Sequence, residues 1–110
     1  MTPDDFRRLA LALDGVEEGA HMGHADFRLG GRIFATLGYP DAAWGMVKLP
    51  PEQQQLFVED QPDVFKPVDG GWGAKGATNV RIDAADAATL ERGLRAAWQN
   101  RAAANQKGRR

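Results

Sequence analysis

The chain contains no cysteine. Disulfide bridges, thiolate metal sites and cysteine nucleophiles are therefore excluded. It contains no serine either, which removes most acyl-transfer chemistry. Thr2, Thr36, Thr78 and Thr89 remain, and none sits in a nucleophile setting. No apolar run approaches the roughly 18 residues that a membrane span needs. The opening "MTPDDFRR" has no apolar signal-peptide core, so the expectation is a cytoplasmic protein. Acids are missing from one end. Residues 92–110 carry Arg92, Arg95, Arg101, Lys107, Arg109 and Arg110 and no acid, a balance of +6. Residues 1–91 hold all 15 acids and 8 of the 14 bases, a balance of −7. A polyphosphate partner would be repelled by the body and attracted by the end. The same end also fits a helix whose basic last turn suits its dipole, followed by a solvated tail.

What is present describes one small α+β domain. The chain has 110 residues, 43% hydrophobic and 26% charged, ordinary for a globular protein with a modest core. Thr2, Pro3 and Asp5 open a helix with a capping box, and Phe6, Leu9, Ala10 and Leu13 give it one buried stripe. "DFRL" and "RIFATL" alternate around Gly30-Gly31, the pattern of a hairpin. "GYPDAA" is a longer turn, and "WGMVKL" is a third strand. "PEQQQLFVED" is a short helix anchored by Leu56 and Phe57 and ended by Pro62. "DVFKPV" is a proline-limited edge strand, and "TNVRID" is the last strand. Asp83 or Asp86 caps a final helix with Ala87, Leu90, Leu94 and Trp98 inward. The order is α-β-β-β-α-β-β-α, a mostly antiparallel sheet with both long helices on one face. The domain is expected over residues 1–101, with 102–110 a basic, frayed tail.

The run "DGGWGAKGAT" spells G-x-G-x-x-G through Gly71, Gly73 and Gly76. A dinucleotide loop needs a helix straight after it, whereas Thr78 to Asp83 reads as strand. Lys75 is followed by Gly76, so the Walker pattern fails too. The run is better read as a hairpin connection that holds Trp72 and Lys75 at its tip.

If helices cover one face, the other carries Arg28, Arg32, Phe34, Trp44, Met46, Lys48 and Arg81, with Trp72 and Lys75 leaning over it. Cations around aromatic rings suit nucleic acid, the cations meeting phosphates and the rings stacking on bases. They suit equally a small planar or anionic ligand. Alternatively, the short helix covers Phe34, Trp44 and Met46 through Leu56 and Phe57, making a second small core. His21 and His24 stand three apart in "EEGAHMGHAD", but Gly19 and Gly23 argue for a loop, so no metal is expected. Glu17 and Glu18 are adjacent and would face opposite ways on a strand, a poor acid–base pair.

Three phrases together resemble the MmcQ/YjbR family of small bacterial proteins. They are "LDGVEEGAHMGHADFRLGGRIFATL" (Leu13 to Leu37), "VKLPPEQQQLF" (Val47 to Phe57) and "FKPVDGGWGAKGATNVRID" (Phe65 to Asp83). The resemblance implies a frataxin-like, CyaY-type α+β sandwich with a double wing of hairpins. Members are commonly labelled DNA-binding on structural grounds, and the family supplies no agreed catalytic residues. Members often carry a Lys followed shortly by His-Trp at the start of the last strand. Lys75 matches the Lys, Ala77 and Thr78 stand near the His-Trp position, and Trp72 lies upstream. The first expectation is thus a non-enzymatic DNA-binding domain without cofactor or metal. Its contacts would be Arg28, Arg32, Lys48, Lys75 and Arg81 to phosphates and Trp44 and Trp72 to bases or sugar. The second is a module for a small anionic or aromatic ligand, or for protein interaction, on the same face. A frataxin-like iron role has only Asp4, Asp5 and Asp14 of the first helix to draw on.

Overall fold

The computed structural model describes residues 1–107. Its elements run α1 (Pro3–Leu11), β1 (Val16–His21), β2 (His24–Leu29), β3 (Arg32–Leu37), β4 (Trp44–Lys48), α2 (Pro51–Asp60), β5 (Phe65–Pro67), α3 (Gly71–Ala74), β6 (Ala77–Arg81), a 3-10 turn (Ile82–Ala84) and α4 (Ala87–Lys107). The six strands form one antiparallel sheet in the order β1-β2-β3-β4-β6-β5. The α+β class is as the sequence indicates, but the element order gains β1 and α3. "EEGAHMGHAD", read as a loop, is instead the body of a β1–β2 hairpin in which His21 pairs with His24.

Local chemistry explains most of the boundaries. Thr2 Oγ1 accepts from the Asp5 N–H at 3.2 Å, and Asp5 Oδ2 accepts from the Thr2 N–H at 2.8 Å, completing the capping box. Asp86, rather than Asp83, starts α4, its Oδ1 accepting from the Thr89 N–H at 2.8 Å. Helices α1 and α4 lie on one face of the sheet. Phe6 and Ala10 of α1 and Leu90, Leu94 and Ala97 of α4 bury against Phe27, Ala35, Val47 and Val80. The Phe6 ring occupies the space where a side chain on Gly45 would stand, so a glycine in mid-strand lets α1 approach.

Two sequence expectations about α4 are corrected. Ala87 is exposed and Trp98 only half-buried, its indole N–H donating to the Asp14 carbonyl at 2.9 Å. The inward stripe continues instead through Ala97. Nor does the helix fray at Ala102. It runs to Lys107, and Asn105 Nδ2 donates to the Leu29 carbonyl at 2.9 Å, tying that end to the β2–β3 turn. Arg109 and Arg110 of the expected tail lie outside the described residues.

The sheet departs from strict alternation at one place. Phe27 pairs with Ala35 while Arg28 pairs with Ile33, so Phe34 is an extra residue on β3. A bulge turns such a residue toward the same side as its neighbour. Phe34 accordingly has no exposed surface and joins the core. Its expected place on the open face is therefore wrong. Past the bulge Arg32 lies opposite Leu29 at the hairpin end.

Candidate functional site: a groove between two hairpins

The second face of the sheet is open. Helix α2 does not cover it. Phe57 packs edge-on against Phe65 at 5.0 Å between ring centroids, and Leu56 is 64% exposed. Trp44, Met46, Thr36 and Asn79 thus floor a groove of about 670 Å³. Pairings of Thr36 with Met46, and of Met46 with Asn79, place these side chains on one face of β3, β4 and β6. The β1–β2 hairpin forms one wall with His21, Met22 and His24, joined by Tyr39 from the β3–β4 turn. The other wall is the end of β5 and the glycine loop, with Lys66, Val68 and Trp72. The volume falls in the ~300–1,000 Å³ range of small-molecule sites.

The glycine run makes the second wall, and its geometry answers what the glycines are for. β5 and β6 pair antiparallel, so the run connects a hairpin as expected, with one helical turn, α3, at its tip. A Cβ on Gly73 would lie 1.7 Å from the Val68 carbonyl oxygen. One on Gly76, at φ +109°, would lie 1.7 Å from the Leu49 carbonyl oxygen. These glycines admit backbone, not phosphate. Buried Gln54 of α2 locks the loop. Its Nε2 donates toward the Gly73 carbonyl at 3.0 Å, with the Ala77 carbonyl and the Thr78 hydroxyl oxygen each at 3.1 Å. Trp72 is left 68% exposed at the tip, with Lys75 Nζ 5.9 Å from its ring centroid.

The seven residues singled out by sequence divide into three groups. Trp44, Lys48 and Trp72 line the groove. Lys75 and Arg81 flank it, each over a ring of the site; Arg81 Cζ stands 5.8 Å from the Trp44 centroid and Nε bonds Asp83 at 3.1 Å. Arg28 and Arg32 do not line it. Arg28 is committed to Asp26 through contacts of 2.7 and 3.0 Å, and Arg32 sits at the hairpin end. The expected convergence of five cations and two indoles on one face is thus only partial.

Sequence reading missed a buried carboxylate behind the groove's hairpin wall, bonded to His21, which lines it. Asp26 has no exposed surface, yet Arg28 donates to both of its carboxylate oxygens, and His21 Nδ1 meets Oδ2 at 2.8 Å. The Arg28 hydrogen bond holds its pKa below the usual carboxylate value, outweighing burial, and the His21 bond adds to it. A carboxylate at Nδ1 fixes the imidazole's orientation and favours the tautomer with the proton there. The signal was the i, i+2 pair Asp26/Arg28 on a strand, which places both on one face. Lys48 is half-buried, and desolvation, then the charge of Arg101, lowers its pKa. Among the described residues no three His, Asp or Glu side chains gather as a metal site, and no helix is long and apolar enough to cross a membrane.

No curated protein matches the chain. A crystal structure of Deinococcus radiodurans protein DR2400, which carries a DUF419 domain, matches with a TM-score of 0.72 at 21% identity, over 88% of this chain and 75% of that one. That likeness concerns the fold alone. The family model for YjbR matches residues 11–100, which spans α2, all six strands and most of α4. By that match the chain belongs to the YjbR family.

Proposed function

We propose that this protein is a non-enzymatic binding module whose groove holds a planar ring system carrying negative charge. One observation carries the reading: the sheet face bearing Trp44 and Met46 is left uncovered as the floor of a groove of about 670 Å³, with Trp72 exposed on its wall. Burying such surface between indoles favours flat, apolar groups, and Lys48 and Lys66 at the edge favour an anion. A small ligand fits the charge better than duplex DNA does. Residues 1–91 balance to −7, Arg28 and Arg81 spend their charge on Asp26 and Asp83, and Asp69 also lines the groove.

Single-stranded nucleic acid is the second reading, favoured by one specific arrangement. The exposed Trp72 carries Lys75 beside it, a ring and a cation together on a projecting loop. Tryptophan fluorescence titration with 1-naphthyl phosphate, thymidine monophosphate and a short oligothymidylate separates the two. The small-ligand reading expects saturable quenching by naphthyl phosphate, and no gain of affinity with oligonucleotide length. Affinity rising with length and falling steeply with salt would move the assignment to nucleic acid. Flat titrations with all three would remove both.

A further inference from the structure

We propose that the corner of the groove at Lys48 is a dedicated oxyanion subsite, formed by Lys48, Lys75, Arg101 and Asn100. It rests on the reading of the groove as a binding site and names the group that its ligand carries. The bulge creates the space. Described pairing between β3 and β4 runs only from Ala35–Val47 to Leu37–Gly45. Beyond it Phe34 turns into the core, the strands part, and a pocket of about 160 Å³ opens between Lys48, the Trp72 loop and α4. At about 30 Å³ per water, that is room for roughly five waters, or for one tetrahedral oxyanion.

Its lining is charged in one sense. Lys48, Lys75 and Arg101 all line it, and no carboxylate does. Among the described residues none of the three forms an ion pair, whereas Arg7, Arg8, Arg28, Arg81 and Arg95 all do. Arg101 Nε is held by Asn105 Oδ1 at 3.0 Å, which sets the guanidinium without neutralising it. Asn100 Nδ2 donates one hydrogen to the Lys48 carbonyl at 3.2 Å and has a second to give. Three like charges gathered on a half-buried pocket repel one another, and both burial and Arg101 oppose the Lys48 charge. An oxyanion relieves both costs at once. Lys48 and Trp72 line this pocket and the groove alike, so a ligand's ring and its anionic group can occupy both together.

Inorganic pyrophosphate and phosphate are the probes, because they lack a ring. Isothermal titration of the full chain, with chloride at matched ionic strength as the blank, should give saturable pyrophosphate binding. Lys48→Met and Arg101→Met should each weaken it by about tenfold, the scale of one lost charge-assisted contact. Arg95→Gln, on the exposed side of α4, should leave it unchanged. Should Lys48→Met fail to fold, the exposed Lys75→Gln carries the same expectation. No binding by the parent chain, or equal binding by parent and variants, overturns the subsite. Naphthol, which has the ring without the anion, keeps the two assignments apart. Naphthol bound without pyrophosphate sinks the subsite alone; pyrophosphate bound with no naphthyl compound bound sinks the groove reading alone.

Discussion

His21 Nδ1 lies 2.8 Å from Oδ2 of Asp26, a carboxylate with no solvent exposure at the root of the groove's hairpin wall. That pair, with Arg28 donating to both carboxylate oxygens, keeps a charge ionised inside the protein. Asp26, Asp5 and Asp86 all have folded-state pKa values below the ordinary carboxylate value, Asp5 at about 2. A depressed folded value means stability that is complete above the unfolded pKa of about 3.9 and lost as pH falls through the folded value. Urea unfolding should therefore show a constant midpoint near neutrality and a falling one below about pH 4. Asp26→Asn should flatten part of that fall. An unchanged acid profile in the variant would show that Asp26 holds no special charge.

The bulge predicts a contrast between neighbours in type and position. Phe34 is completely buried and Met46 half-exposed on the open face. Phe34→Ala should cost about 3–5 kcal/mol, and Met46→Ala less than about 1 kcal/mol. Strict alternation predicts the reverse burial for Phe34, so similar small losses from denaturant melts would contradict the bulge.

The glycine run predicts a graded series. Gly71 has open space where a Cβ would stand, while Gly73 and Gly76 face carbonyl oxygens at 1.7 Å. Gly71→Ala should change stability by less than about 1 kcal/mol. Gly76→Ala should lose about 1–2 kcal/mol for its positive φ and more for the clash. Equal tolerance at all three positions would return the run to a solvent-facing loop with another purpose.

Gln54 predicts a separation of binding from folding. Its amide ties α2 to the Gly73 and Ala77 carbonyls, which also accept from the Gly76 and Val68 N–H groups, so Gln54→Leu should cost only about 0.5–1.5 kcal/mol. Removal of the exposed Trp72 by Ala should shift stability by no more than about 0.5 kcal/mol. Both variants should weaken naphthyl phosphate binding, Trp72→Ala by about tenfold, through loss of roughly 1–3 kcal/mol of stacking. Full binding by Trp72→Ala would take the loop out of the site.

Much of this was legible in the sequence, and the failures have physical reasons. The capping box, the apolar stripe of α1, the hairpin turn at Gly30-Gly31 and the strand after the glycine run each rest on a local pattern, and each is present. β1 was hidden because it is an edge strand with both faces largely exposed, so "VEEGAH" shows no apolar alternation. The bulge was hidden because alternation assumes one residue per position, and nothing in "RIFATL" marks the extra one. The oxyanion corner was hidden behind the expected fraying of the last helix. Yet Ala97, Asn100, Arg101 and Ala104 stand at i, i+3, i+4 and i+7, a stripe that lines the pocket from buried Ala97 to exposed Ala104. Convergence of Lys48 with that stripe is a tertiary fact that no local pattern contains.

The three tryptophans supply the most direct test of the groove. Trp44 and Trp72 line it, while the Trp98 indole is bonded to the Asp14 carbonyl away from it. With ¹⁵N-labelled protein, 1-naphthyl phosphate should shift the indole N–H signals of Trp44 and Trp72 in a saturable, concentration-dependent way and leave Trp98 in place. Three stationary signals, or a shift confined to Trp98, would contradict a ligand held between the two hairpins.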